Sequence, residues 1–92
     1  MKKSIWKFPI KIEDEQSVLM PKDSELLSVQ VQHGQICIWA LVNIEAITVK
    51  RIIKMAGTGH DLTNRVPLGP FLGTVQVNGG QFIFHVFDGG EK

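Results

Sequence analysis

Apolar residues in this chain recur at every second position over most of its length, and no segment sustains a helical period. Strands turn successive side chains to opposite faces, whereas an amphipathic helix needs apolar groups three and four residues apart. In SIWKFPIKIE, Trp6, Phe8, Ile10 and Ile12 fall on one side, with Lys7, Pro9, Lys11 and Glu13 on the other. Pro9 has no N–H to give a ladder, which predicts an edge strand or a bulge there. SVLMP gives a short second strand ending at Pro21. LLSVQVQ then alternates, with Leu27, Val29 and Val31 expected inward. A His33-Gly34 turn leads into QICIWALV, apolar on both faces and so expected at the centre of a sheet.

The corner NIEA precedes ITVKRIIKM, a further strand that delivers the chain to Gly57-Thr58-Gly59. Residues 60–69 lose the pattern and read as a loop with at most one helical turn. PFLGTVQV and QFIFHVF form a second hairpin across Asn78-Gly79-Gly80, and the final DGGEK reads as a loose tail. About seven closely spaced strands with little or no helix predict a mainly β domain, a small antiparallel β-sandwich or partly open barrel. Residues 1–92 fit one domain.

Composition narrows the function classes. The 92 residues are 43% hydrophobic and 21% charged, too apolar for disorder. Ten basic and nine acidic side chains nearly cancel, which argues against nucleic acid as a partner, since that affinity grows from clustered phosphate-neutralising cations. No stretch is long and apolar enough to span a bilayer, so no membrane role is expected. Cys37 is alone and sits in apolar company, consistent with an inert thiol in a reducing cytoplasm.

The chemistry-bearing residues gather at KMAGTGHDL. Gly57, Thr58 and Gly59 can adopt turn conformations whose successive N–H groups cradle an anion. His60 adds a titratable ring, and Arg51 and Lys54 add positive charge on the preceding strand. A phosphate-bearing ligand suits that set. The other reading is a glycine turn at a strand end with His60 on the surface, because the Lys-Ser/Thr ending of a Walker loop is absent. His33, His60 and His85 are too scattered for a metal site, and no cofactor is expected. No serine or cysteine stands beside a base in a way that makes a nucleophile, so the expected class is not an enzyme. Trp6, Trp39, Phe82 and Phe87 exceed what a thin core can hide, and the surplus is expected on a contact surface, with Trp6 or Trp39 able to stack on a base.

IWKFPI, LSVQVQHGQICIWALV, GTGH and LGTVQVNGGQFIFHVF, in that order, resemble a family of small uncharacterised phage and prophage proteins. The likeness covers nearly the whole chain. It departs at Asn43-Ile44-Glu45, where the family more often has Asp-Pro-Glu, and in the loop carrying Asn64 and Arg65. The resemblance implies a small β domain acting in the cytoplasm of a bacterial host, and no catalytic residues. Such a setting implies an accessory binding protein. It could be an anti-defence factor that sequesters a nucleotide-type ligand in an oligomer pocket, with Gly57, Thr58, Gly59, His60, Arg51, Lys54, Trp6 and Trp39 as its lining. The other class is a factor that masks a host protein, or a minor structural component. Thin edge protection and apolar groups on both faces of QFIFHVF predict a homo-oligomer, with the last hairpin and the Trp6 region in contact.

Overall fold

Seven strands follow one another in the computed structural model, which describes residues 2–92: β1 (Lys3–Pro9), β2 (Glu15–Pro21), β3 (Glu25–Gln32), β4 (Gln35–Asn43), β5 (Thr48–Gly57), β6 (Phe71–Val77) and β7 (Phe82–Glu91). Every pairing is antiparallel. A three-stranded sheet runs β1-β4-β3, and a four-stranded sheet runs β2-β5-β7-β6. There is no helix among the described residues and neither sheet closes on itself, so the architecture is a small β-sandwich.

Residue chemistry explains the strand order. β4 is apolar on both faces and lies between β1 and β3, while Pro9 sits on the edge strand β1. Ile36, Ile38, Ala40 and Val42 of β4 are all buried. Ile36 and Ile38 pack with Ile53, Met55, Val75 and Val86 of the larger sheet, and with Ile10 and Val29, in one core cluster. Burial of each such aliphatic side chain contributes about 1.5–3 kcal/mol. The β3–β4 hairpin turns on His33 (φ 51°) and Gly34 (φ 78°), the doubly left-handed pair that a two-residue hairpin needs.

The backbones of the two sheets come together chiefly where β3 approaches β6. Gly73 makes that approach fit: a Cβ there would lie 2.9 Å from Cγ1 of Val29. A bulge at Leu27 breaks the alternation of β3, so Leu26 and Val29 point inward and Leu27 is exposed, contrary to the inward position expected for it.

The two ends of the sandwich differ. At one end Arg51 of β5 and Asp88 of β7 form a bidentate ion pair at 2.8 and 2.6 Å, and Arg51 also donates to the Ser24 carbonyl at 2.8 Å. The expected loose tail is therefore structured. A bulge lets Asp88–Glu91 continue pairing with β5, and the Glu91 carboxylate accepts from the Asp23 N–H at 3.0 Å. The opposite end is open beside Ile12, Phe82 and Phe84, with Glu13, Asp14 and His60 also lining it. The expected helical turn reduces to Arg65 and Val66 N–H groups donating to the Leu62 carbonyl.

Candidate functional site

β5 ends at Gly57, and from there the chemistry divides between two faces. Gly57 pairs with Phe84, whose side chain packs against the core, whereas Ala56 pairs with His85 on the outer face. His60 folds back over Gly57 on the inner side, and its Nδ1 accepts from the Gly57 N–H at 3.3 Å. A side chain on Gly57 would collide with that ring, its Cβ falling 2.7 Å from Cε1. Gly59 holds φ 85°, a conformation glycine adopts without strain. Thr58 turns to the other face, where its Oγ1 lies 2.8 Å from Nε2 of His85.

His85, set aside as a metal ligand on spacing alone, has two partners that the sequence reading did not identify. Thr74 Oγ1 lies 2.9 Å from its Nδ1, so one imidazole spans hydroxyls from β6 and from the end of β5. A neutral ring donates from one nitrogen and accepts at the other, and threonine hydroxyls rotate to match either role. Both ring nitrogens of His85 are engaged by hydroxyl groups. Its work is to tie the Gly57–His60 turn across three strands.

The other expected residues do not converge within one chain. Arg51 lies six residues before Gly57, roughly 20 Å along an extended strand. Its guanidinium is held by Asp88, whose hydrogen bonds push the carboxyl below the usual range and raise Arg51. Lys54 points to the outer face and lies 3.9 Å from Glu15. Trp6 and Trp39 belong to the smaller sheet and to opposite faces of it, because Trp6 pairs with Ala40 and Trp39 with Lys7. Trp6 is 42% exposed and Trp39 half-buried. Among the described residues no group of three His, Cys, Asp or Glu could hold a metal ion, and no helix is long and apolar enough to cross a membrane.

A second feature lies on the outer face of the larger sheet. Leu19 of β2, Ile52 of β5, Phe87 of β7 and Phe71 of β6 form a diagonal apolar stripe, one residue from each strand. Phe71 and Phe87 meet edge to face at 5.6 Å. Ile52 can lie flat because its neighbour across the bulge is Gly89, where a Cβ would be 2.8 Å from Ile52 Cγ2. Leu19 is 62% exposed and Phe71 60%. The Thr58–His85–Thr74 chain flanks this stripe on one side, and Lys50 flanks it on the other.

No curated protein and no solved structure matches the chain. A family model does, over residues 1–92, and the chain accordingly belongs to the family described as a domain of unknown function, DUF7352.

Proposed function

We propose that this domain is a non-enzymatic interaction module that joins a second copy of itself through the outer face of its larger sheet. The observation that carries the reading is the stripe Leu19–Ile52–Phe87–Phe71, which crosses all four strands and leaves its two end residues mostly exposed. Four large apolar groups in line, rimmed by polar ones, have the make-up of an interface centre. A two-fold axis parallel to the sheet, just outside its outer face and perpendicular to the stripe, sets the aliphatic end of one copy on the aromatic end of the other. Leu19 then covers Phe71, and Ile52 covers Phe87, so one self-complementary surface serves both subunits.

The resemblance to phage and prophage proteins adds a setting: the assembled module acts in the cytoplasm of a bacterial host, with its smaller sheet and Trp6 free for a host protein. Phosphate capture at the Gly57–His60 turn would need cations from a second copy, since Arg51 and Lys54 of the same chain face Asp88 and Glu15. Light scattering at micromolar concentration is expected to give twice the chain mass, and Leu19→Asp or Phe71→Asp a mass lowered toward that of the single chain. A wild-type protein of single-chain mass overturns the proposal.

A further inference from the structure

We infer that the open end of the sandwich beside His60 binds a small heteroaromatic ring of the nucleobase class, uncharged or cationic, recognised without its phosphates. Two adjoining hollows, of about 250 and 240 Å³, meet there at Gly57, His60 and Phe84. Ile12, Met55 and the carboxylates of Glu13 and Asp14 line the first, and Phe82, Ile83 and Gln81 line the second. Each is smaller than a drug-sized site, so a single small ring rather than a whole nucleotide is the size that fits.

The lining dictates the ligand class. Phe82 and Phe84 offer aromatic surface to a planar ring, and Phe82 is 49% exposed at the rim. Because Nδ1 of His60 accepts the Gly57 N–H, the neutral imidazole carries its proton on Nε2 and presents a donor. Glu13 and Asp14 present acceptors. Each is only loosely tied, Glu13 at 4.0 Å from Lys11 and Asp14 at 3.9 Å from Arg65, with their side chains 48% and 80% exposed. A ligand that meets all three demands is flat and apolar in its faces, with an acceptor and a donor on its edge. That describes a nucleobase. The cations beside these carboxylates, Lys11 and Arg65, are paired with them, and Arg65 also donates to the Asp14 and Met55 carbonyls. Arg51 is locked at the opposite end by Asp88, so the charge at the site does not favour phosphate. This site shares no residue with the apolar stripe, so it stands independently of the dimer.

The geometry also supplies a clean variant. Gly57 does not need a left-handed backbone, so alanine fits the strand, but its Cβ would displace the imidazole that lies 2.7 Å away. The test is a titration of the intact protein with adenosine, guanosine, cytidine and uridine, and with their 5′-monophosphates, read from the NMR signals of His60, Phe82 and Phe84. At least one nucleoside is expected to shift these signals saturably, with its monophosphate binding no tighter. Gly57→Ala and the surface change His60→Ala should each weaken that binding at least about fivefold, the loss of one hydrogen bond. The inference is overturned if no nucleoside moves these signals at millimolar concentration, if both variants bind as the wild type does, or if a monophosphate binds more tightly than its nucleoside.

Discussion

The Arg51–Asp88 pair sits where two strands bring opposite charges into partial shelter, with the side chains only 11% and 18% exposed. The hydrogen bonds from Arg51 hold the Asp88 carboxyl below its ordinary range, and the Gly90 N–H adds to the effect. A carboxyl with a lowered folded-state pKa adds stability above its unfolded value, about 3.9, and loses it as pH falls through the folded one. Asp88→Asn should therefore cost about 1–2 kcal/mol at pH 7, the range of a charge-assisted hydrogen bond weakened to a neutral one. The difference should shrink as pH falls from 7 through the carboxyl's ordinary range toward its lowered folded-state value, and urea midpoints over that range measure it. Nothing local announces this pair: Arg51 and Asp88 are 37 residues apart, and DGGEK carries the composition of a tail. By contrast, the Thr74–His85 contact was legible in principle. The Asn78-Gly79-Gly80 turn sets Val77 opposite Phe82, and counting back three residues on each side reaches Thr74 and His85. Thr58 could not be found that way, because its partner strand lies across a long connection.

Strands were readable because alternation depends only on neighbouring residues, and sheet membership was not, because it depends on which edges meet. The centrality of β4 followed from its two apolar faces. The inward placing of Leu27 failed because the bulge breaks the alternation: Leu26 before it and Val29 after it both point inward, so the phase set by Val29 does not extend back to Leu27. The corner between β3 and β6 is an element-scale feature that rests on a missing side chain. Gly73→Val would drive two methyl groups toward Val29 and wedge the strands apart. Overpacking of this kind costs about 1–3 kcal/mol, and thermal unfolding should show a lowered midpoint. Gly73→Ser, with one atom fewer, should lose less.

At the scale of the molecule, a layer only 16 Å deep in its Cα dimension cannot bury all the aromatic residues it carries. Surplus aromatic surface was expected from the sequence. Its arrangement into one stripe was not, because it needs β2, β5, β7 and β6 in spatial order. Phe87, near the stripe's centre, gives a prediction distinct from the end residues. Phe87→Asp buries a charge in the contact and should dissociate the assembly more completely than Leu19→Asp, as sedimentation velocity over a dilution series would register.

The same strand order has a consequence in time. β7 lies between β5 and β6, so the larger sheet has no continuous ladder until residues 82–91 take their place, and β2 waits about thirty positions for its partner β5. Every sheet-closing contact except the two hairpins joins distant parts of the chain. A chain built this way folds late and all at once, with refolding in milliseconds to seconds rather than the microseconds of a local helical fold. During that interval Leu19 and Ile52 are uncovered beside unpaired backbone, and the surface that serves assembly in the finished domain is a hazard of aggregation in the unfinished one.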